Sequence, residues 1–393
     1  MPFLLPRSFG DSERACFVLA FGKLSVLEIC AVSGSSLTEL ESPLERVCVF
    51  KMQPSLSSSL PRLGGIHKFA PLTTQVRADG TGVDRFADYI ADRTDAISNF
   101  SLSAYGLDGD AYDGLLQQLL DAFRSRGFKK IHLIRPEELE LRADQVLARG
   151  SLDAVTFPYH GEFFLGLTTY VPDSVRLRER GVKKPIPRAD ISLSPRLAKV
   201  LVNLSGVVPG QTLLDPFCGS GTILAEGLLK SARCIGVDFR KRQIEEARMN
   251  LRWVSKGARG SSFRLQVGNA TDLAGAFRGK KVDGVATEPI LLPRLEARPN
   301  FDLAKEMIDN SGEVYAEALA SIADVVKPGG RIVVVVPVVR ATDESEVSVG
   351  LDGRPLGLSL FQPGPILFQY PVRLSFESTR WIRRAVYVFE VRP

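Results

Sequence analysis

The sequence predicts an α/β protein whose C-terminal half is a doubly wound, mostly parallel sheet with an antiparallel late strand. Three observations lead to this fold class. Strands and helices alternate strictly from residue 212 onward, as successive βαβ units require. A glycine-bearing turn follows the first of these strands at Asp215 and runs directly into a helix. Residues 331–336 are almost wholly apolar, which is typical of a strand in the middle of a parallel sheet.

Length and composition bound the class of protein. The chain has 393 residues, more than one ordinary core holds, so we expect two or three domains. No apolar run is long enough to span a bilayer, and the N-terminus lacks the basic start and apolar core of a signal peptide. The five cysteines are odd in number and scattered, so they predict neither a disulfide framework nor a metal site. We therefore expect a reduced, cytoplasmic protein.

The C-terminal elements follow one another in a regular order. We predict strands over residues 212–214, 234–237, 263–267, 282–286 and 331–336. The helices between them are predicted over residues 221–230, 240–253 and 303–326, and the last ends at a turn over 327–330. Two late strands are expected near residues 368–375 and 385–391.

The N-terminal half alternates strands and helices more loosely. The pattern predicts a helix over 23–32, a loop over 55–59, a helix over 83–99, a strand over 100–105, an amphipathic helix over 110–128, a strand over 130–134 and a hairpin around residues 160–161. The three histidines, His67, His132 and His160, are isolated, so this half shows no second active site.

The turn that follows Asp215 has the properties of a cofactor loop. Glycines permit tight turns of positive φ, and a helix N-terminus presents unpaired N–H groups to a carboxylate. Asp215 can accept a hydrogen bond from the ammonium group of a bound amino acid. S-adenosylmethionine carries both a carboxylate and an ammonium group. We therefore predict that it is bound by Asp215, Pro216, Phe217, Cys218, Gly219, Gly221 and Thr222.

The next two strand ends supply further groups for this cofactor. Asp238 lies 17 residues after Gly221, where an acid can accept hydrogen bonds from two ribose hydroxyls. Phe239 can pack on the adenine. Asn269 and Ala270 follow the third strand, where the amide oxygen of Asn269 can accept a hydrogen bond from the adenine amino group. A nicotinamide dinucleotide site is the alternative because it uses the same architecture. It needs a third glycine, which this loop lacks.

The loop sequence Asp215–Thr222, D-P-F-C-G-S-G-T, resembles the first motif of the tRNA guanine-N2 methyltransferases that carry a THUMP domain. Ser192–Leu204 is similar to the helix before this strand in that family, and Arg62–Gly65 and Asn99–Ser103 resemble segments of its tRNA guanosine-10 branch. The resemblance implies a Rossmann-like class I methyltransferase domain over 191–393. It also implies a ferredoxin-like α+β domain over 1–60, a THUMP domain over 61–172 and a basic linker over 173–190.

The resemblance also gives a role to the segment after the fourth strand. There, Glu288 and the carbonyl of Pro289 would accept the two N–H groups of a guanine amine, after the base has been flipped out of its helix. Two departures stand out: Glu288 is longer than the usual short acid, and Ile290 replaces the aromatic residue that stacks on the base. Phe217 and Tyr315 are candidate substitutes. The alternative is that Glu288 caps the strand of a degenerate site.

A basic segment precedes the methyltransferase half. Residues 174–199 carry a net charge of +6, whereas the whole chain carries +5. A stripe of this kind suits a phosphate backbone, and a solvated linker is the alternative. The predicted RNA-binding residues are Arg176, Arg178, Arg180, Lys183, Lys184 and Arg188. With the resemblance, they imply tRNA as the partner, and Lys129, Lys130, Arg124 and Arg126 are further candidates for phosphate contacts.

The leading interpretation is an S-adenosylmethionine-dependent tRNA (guanine-N2)-methyltransferase that acts at position 10. A DNA or RNA adenine-N6 methyltransferase is the alternative enzyme, because its fourth-strand chemistry is similar. A non-catalytic RNA-binding protein with a vestigial cofactor pocket is the alternative from another class. A cytosine carbon-5 enzyme is excluded, because no cysteine follows Cys234. We expect a monomer, to which a small zinc-ribbon activator binds in some members of the family.

Overall fold

The structure is a computed structural model that describes residues 14–33, 41–51, 54–77, 79–135, 146, 151–187, 193–256, 262–277, 279–289, 292, 295, 297–363, 367–374 and 381–392. The chain forms two compact units. The first comprises Met1–Gly22, Leu37–Pro61 and Ile66–Val175. The second comprises Lys23–Ser36, Arg62–Gly65 and Arg176–Pro393.

The strands, in chain order, are β1 (Arg14–Leu19), β2 (Glu41–Leu44), β3 (Val47–Lys51), β4 (Ile66–Val76), β5 (Asn99–Ala104), β6 (His132–Leu133), β7 (Ser151–Tyr159), β8 (Glu162–Leu167), β9 (Thr212–Asp215), β10 (Arg233–Asp238), β11 (Ser262–Val267), β12 (Val282–Thr287), β13 (Val326–Arg340), β14 (Glu346–Ser348), β15 (Leu358–Leu360), β16 (Val372–Arg373) and β17 (Ile382–Val391). The α-helices are α1 (Lys23–Ser33), α2 (Pro54–Ser59), α3 (Val83–Ala91), α4 (Gly109–Ser125), α5 (Ser174–Val182), α6 (Pro195–Leu204), α7 (Thr222–Leu229), α8 (Lys241–Ser255), α9 (Leu273–Phe277) and α10 (Phe301–Ala323). Short 3₁₀ turns lie at Leu60–Arg62 and Arg354–Leu356.

The first unit is built on an eight-stranded sheet in the order β2-β3-β1-β4-β8-β7-β5-β6. Most neighbours are antiparallel, but β5 runs parallel to both β7 and β6. The apolar faces of α3 and α4 bury Phe86, Leu119 and Phe123 in a shared core. The predicted hairpin of β7 and β8 is confirmed. His160 and Gly161 both have positive φ, which suits the twist of a two-residue hairpin turn.

The second unit confirms the predicted Rossmann-like fold class. Its sheet has the order β11-β10-β9-β12-β13-β17-β15, with β14 on β13 and β16 on β17. The strands from β11 to β13 are parallel, and β17 is antiparallel to β13. The predicted turn over 327–330 is a bulge within β13, because Val282 pairs with Val326 whereas Gly284 pairs with Arg331.

The second unit also includes helix α1 and the short segment Arg62–Gly65, which the sequence did not assign to it. Glu28 on α1 is fully buried, and its carboxylate accepts hydrogen bonds from the backbone N–H groups of Gly64 and Gly65 at 2.8 and 2.7 Å. Asn203 on α6 donates to the same carboxylate at 2.6 Å. Buried acids are stable when several donors surround them, so this network anchors the early segments to α6.

Several predicted boundaries are wrong for identifiable reasons. Helix α3 ends at Ala91 instead of residue 99, because its apolar positions stop at Ile90 and the Thr94 side chain bonds locally to Ala96. The expected loop over 55–59 is helix α2, which begins at Pro54 and buries Leu56. Helix α10 begins at Phe301, because the Asn300 side chain accepts a hydrogen bond from the N–H of Leu303.

Two expected strands are shorter than predicted. The strand expected over 130–134 is reduced to the two residues of β6, which lies at the edge of its sheet. Of the strand expected near 368–375, the described residues 368–374 contain β16, which pairs with β17, and residue 375 lies outside the described residues. Within the described part of the basic segment, residues 174–182 form α5 and residues 195–199 begin α6. Among the helices that the structure describes, none is both long and apolar enough to cross a bilayer.

Candidate active site

The loop between β9 and α7 has the backbone geometry expected of a cofactor loop. Gly219 and Gly221 have backbone φ values of 48° and 85°, a region that residues other than glycine rarely adopt. Gly221 is the N-cap of α7 and has no side chain to cap the helix. A Cβ at Gly221 would lie 3.3–3.4 Å from Leu251 and Ala247, so the loop also packs closely on α8. The first N–H groups of α7 are therefore oriented to receive an anion.

Asp215 ends β9 as a buried carboxyl group. Its Oδ1 accepts a hydrogen bond from the Thr287 hydroxyl at 2.7 Å and another from the N–H of Phe217 at 3.2 Å. Burial raises the pKa of this carboxyl from 3.8 to about 7, and the negative charges of Asp238 and Glu288 add to the effect. The two hydrogen bonds oppose it. A cationic group bound here would offset the cost of ionising Asp215.

Asp238 lies at the end of β10, next to the cofactor loop. It is 5% exposed, and its Oδ2 accepts a hydrogen bond from the N–H of Gly219 at 3.1 Å. Its Oδ1 accepts from the N–H of Arg240 at 2.9 Å. The carboxylate thus links the ends of two adjacent strands. Phe239, which follows it, is 58% exposed and its ring lies 5.1 Å from the Arg240 guanidinium.

Three further predicted cofactor residues are Asn269 and Ala270, which follow β11, and Cys218, which lies in the loop after β9. Asn269 is exposed and its side-chain oxygen accepts a hydrogen bond from the N–H of Thr271 at 3.2 Å, while Ala270 is buried. Cys218 is also buried, and burial raises the pKa of its thiol well above the ordinary value. Its sulfur lies against Gly236, where a Cβ would approach within 3.0 Å. Cys218 therefore has the environment of a packing residue and not of a nucleophile.

Glu288 directly follows β12, and its partner was not predicted from the sequence. The Arg384 Nε donates a hydrogen bond to its Oε1 at 2.6 Å, and both side chains are nearly buried at 12% and 11% exposure. Tyr315 on α10 is buried near the same carboxylate, and the charge of Glu288 adds to the effect of burial in raising the pKa of its hydroxyl. Pro289 directly follows Glu288, and Ile290 lies outside the residues that the structure describes.

Thr287 was also missed, although it joins the two halves of the site. It is fully buried at the end of β12 and bonds to Asp215 across the strand boundary. Its sequence position, one residue before Glu288, was the available signal. Through Thr287, the loop that contains Asp215 and the segment that contains Glu288 are held at the same edge of the sheet. Ligands of open α/β sheets bind at this edge.

The basic segment divides into buried and exposed side chains. Arg180 binds the buried Glu226 on α7 with two hydrogen bonds of 2.7 and 3.0 Å. Lys184 is buried, and its Nζ donates to the hydroxyl of Thr222 at 3.1 Å. Arg176, Arg178 and Lys183 are exposed. Lys183, which directly follows α5, pairs with Glu179 on that helix, and Arg188 lies outside the described residues. An RNA-binding role stays a prediction for all six basic residues.

Asn250 on α8 is a further residue that the sequence did not identify. It is 2% exposed and exchanges hydrogen bonds with both backbone groups of Ile186, at 2.9 and 3.3 Å. Its amide also donates to the carbonyl of Ser220 at 3.0 Å. Asn250 therefore fixes the cofactor loop to the segment that follows α5.

The fold and this site define a Rossmann-like methyltransferase domain. Residues 188–342 match the family described as "UPF0020: RMKL-like, methyltransferase domain". The chain is 35% identical over 146 residues to the tRNA (guanine(10)-N2)-dimethyltransferase of Methanothermobacter thermautotrophicus, which covers 37% of this chain and 39% of that protein. It is 33% identical over 122 residues to the probable tRNA (guanine(10)-N2)-dimethyltransferase of Methanothermococcus thermolithotrophicus, which covers 30% of this chain and 72% of that protein.

The chain belongs to the family that contains these tRNA (guanine(10)-N2)-dimethyltransferases. It spans about two fifths of the length of the relative from Methanothermobacter thermautotrophicus. Its fold is similar to the crystal structure of TrmN from Thermus thermophilus, with a TM-score of 0.53 and 16% sequence identity, over 96% of this chain and 99% of that one.

Proposed function

We propose that this protein transfers a methyl group from S-adenosylmethionine to the exocyclic N2 of a guanosine in tRNA. One observation carries the proposal. Asp215 and Asp238 end two strands and Glu288 directly follows a third at the same edge of the sheet, and the Gly219 N–H and the Thr287 hydroxyl connect these strand ends. Family membership supports the choice of tRNA and of guanine N2, with position 10 as the target.

The cofactor fits the groups at the first two strand ends. The N–H groups at the start of α7 would receive the carboxylate of the methionine part, and Asp215 would bind its ammonium. Asp238 would accept hydrogen bonds from the ribose, while the exposed ring of Phe239 would stack on the adenine. Asn269 and Ala270 would lie beside the adenine amino group. The bound cofactor supplies an electrophilic methyl group on a sulfonium sulfur.

Glu288 and Pro289 would bind the guanine amine that receives the methyl group. A guanine amine is a weak nucleophile, because its lone pair is delocalised into the ring. A carboxylate oxygen and a backbone carbonyl that accept its two N–H groups place the nitrogen in line with the methyl group. The cofactor would supply the methyl group to this nitrogen, and its sulfur would keep the electron pair of the broken C–S bond. The nitrogen then loses one proton, which Glu288 or water accepts.

The N-terminal half of the chain and the basic segment would bind the tRNA. We propose a ferredoxin-like domain over 1–60 and a THUMP domain over 61–172, joined through the segment 173–190 to the methyltransferase domain over 191–393. The exposed side chains of Arg176, Arg178 and Lys183 would contact phosphates. The protein would act in the cytoplasm as a monomer, with a small zinc-ribbon protein as its candidate activator.

The proposal is tested by methyl transfer to defined transcripts. The full-length protein is incubated with methyl-labelled S-adenosylmethionine and a tRNA transcript, alone and with a zinc-ribbon activator, and the product is digested to nucleosides. We expect N2-methylguanosine, its loss when guanosine 10 is replaced by adenosine, and no N6-methyladenosine. Label in adenine or in DNA would overturn the proposal in favour of the alternative enzyme. Calorimetry with S-adenosylmethionine addresses a vestigial pocket, because no binding at millimolar cofactor would favour a non-catalytic protein.

A further inference from the structure

The ion pair between Glu288 and Arg384 joins residues that are 96 positions apart in the sequence. Arg384 lies on β17, opposite Pro337 of β13, and β13 separates β17 from β12. Its side chain therefore reaches past one strand to the carboxylate that follows β12. The adjacent residue on β17, Arg383, binds Glu346 on β14 instead, at 3.1 Å. Successive side chains of a strand point to opposite faces, which explains why two neighbouring arginines have different partners.

Glu288 lies in a cluster of acidic groups from several elements. Asp215 at the end of β9 interacts with it electrostatically, and Asp238 at the end of β10 interacts with Asp215. The charge of Glu288 also interacts electrostatically with the hydroxyl of Tyr315 on α10 and raises the pKa of that hydroxyl. Burial and neighbouring negative charges both favour the protonated form of a carboxyl group. The positive charge of Arg384 has the opposite effect, because it favours the ionised form of the Glu288 carboxyl group.

A second consequence of the pair concerns conformation. A glutamate has one more rotatable bond than an aspartate, so it loses more freedom when it is held in one position. The Nε–Oε1 hydrogen bond of 2.6 Å fixes the Glu288 carboxylate from the side of β17. Charge-assisted hydrogen bonds of this kind are about twice as strong as neutral ones. The pair thus controls both the charge and the position of the proposed acceptor of the guanine N–H group.

We propose that Arg384 is a positioning residue for methyl transfer, which keeps Glu288 ionised and oriented toward the amine of the acceptor base. The inference rests on the proposed function, because it assigns the carboxylate to that amine. Arg384 acts through Glu288 and does not contribute to cofactor binding. Its loss should therefore affect the rate of transfer and its pH dependence, but not the affinity for S-adenosylmethionine.

Five full-length variants test this role: Arg384→Gln, Arg384→Lys, Glu288→Gln, the double variant Glu288→Gln/Arg384→Gln, and Arg383→Gln as the matched control on the same strand. Rates of tRNA methylation at saturating cofactor are measured from pH 5 to pH 9. For Arg384→Gln we expect a loss of about tenfold at neutral pH, because the carboxylate is no longer held in one orientation. We also expect an acid limb displaced upward by roughly one pH unit, since an adjacent opposite charge shifts the pKa of a carboxyl group by at least that much. Arg384→Lys should restore most of the acid limb.

Three results separate this role from a merely structural one. In the Glu288→Gln background, Arg384→Gln should cause no further loss of rate, whereas an independent contribution would multiply the two losses and overturn the inference. Cofactor affinity should stay within about twofold of the parent in both Arg384 variants, since a larger change would exceed ordinary surface effects and indicate a collapsed site. Arg383→Gln should leave the rate and the acid limb unchanged.

A measurement without tRNA keeps the inference separate from the proposed function. Carbon-13 NMR of carboxyl-labelled glutamate follows the titration of Glu288, assigned by the resonance that is lost in Glu288→Gln. We expect Arg384→Gln to raise the titration midpoint of this resonance, and Arg383→Gln to leave it in place. An unchanged midpoint would overturn the inference. If the midpoint moves but the parent protein does not methylate guanosine, the proposed function fails while the electrostatic role of Arg384 stands.

Discussion

Asp215 gives a quantitative prediction, because its environment opposes ionisation. Its pKa is raised from 3.8 to about 7, mainly by burial. A carboxyl whose folded pKa is raised imposes no penalty below its unfolded pKa, and the penalty grows as the pH rises to the folded value. One pKa unit corresponds to about 1.4 kcal/mol, so the ionised carboxyl destabilises the cofactor-free protein by up to about 4 kcal/mol above pH 7. Replacement by asparagine removes this penalty and keeps the shape of the side chain.

We therefore expect Asp215→Asn to stabilise the cofactor-free protein at pH 8 by roughly 1 to 4 kcal/mol, while it abolishes binding of S-adenosylmethionine. Urea unfolding of the parent and the variant is measured at intervals from pH 4 to pH 8. The difference in free energy of unfolding should be near zero at pH 4 and should increase up to about pH 7. A difference that is constant with pH, or a variant that is less stable at pH 8, would refute the reasoning.

The matched control for this experiment is Asp283, which lies near the start of strand β12, whereas Asp215 lies at the end of strand β9. Its carboxylate accepts hydrogen bonds from the Thr212 N–H at 2.8 Å and from Lys327 at 2.6 Å. These donors lower its pKa against the effect of burial. A lowered pKa stabilises the fold above the unfolded value, and this contribution is lost as the pH falls. Asp283→Asn should therefore destabilise the protein at pH 8, with the opposite sign to Asp215→Asn.

Three further predictions follow from the same contacts. Thr287→Val removes a hydrogen bond that lowers the pKa of Asp215, so cofactor affinity at pH 7 should fall about tenfold and recover toward pH 9 in calorimetry; an equal loss at both pH values would contradict this role. Phe239→Ala should weaken cofactor binding by about 1 to 3 kcal/mol without changing the urea midpoint, because its ring is largely exposed; unchanged affinity would exclude stacking there. Arg180→Met leaves the carboxylate of Glu226 buried without its arginine, so the free energy of unfolding should fall by about 3 kcal/mol at pH 8. The fall should be smaller at pH 5, where that acid can protonate. Equal falls at both pH values in urea unfolding would show that charge burial is not the cause.

The backbone geometry of the predicted cofactor loop could be read from the sequence because its signals are local. Two glycines, an acid at a strand end and a following helix lie within eight residues, and each requirement follows from backbone conformation or helix polarity. The fold class of the second unit was predictable for a similar reason. Alternation of apolar strands with amphipathic helices leaves few arrangements other than a parallel sheet covered on both faces.

The boundaries that were wrong lie where local and tertiary preferences compete. The serine-rich segment 55–59 has weak helix propensity, yet it forms α2 and buries Leu56. The sequence was interpreted as a basic linker over 173–190, but charge does not reveal which arginine pairs with a buried acid. Arg180 does, through Glu226, and this contact holds α5 against α7.

The sequence alone determined the class of the second unit, the glycine turn after β9 and the positions of Asp215, Asp238 and Glu288 at or just after strand ends. Tertiary structure alone decided how these carboxylates are controlled. Thr287 meets Asp215 across 72 residues of sequence, and Arg384 meets Glu288 across 96. Such pairs depend on which strands become neighbours and on which face each side chain lies. No local pattern of charge or hydrophobicity encodes that information, because it arises only when the sheet is assembled.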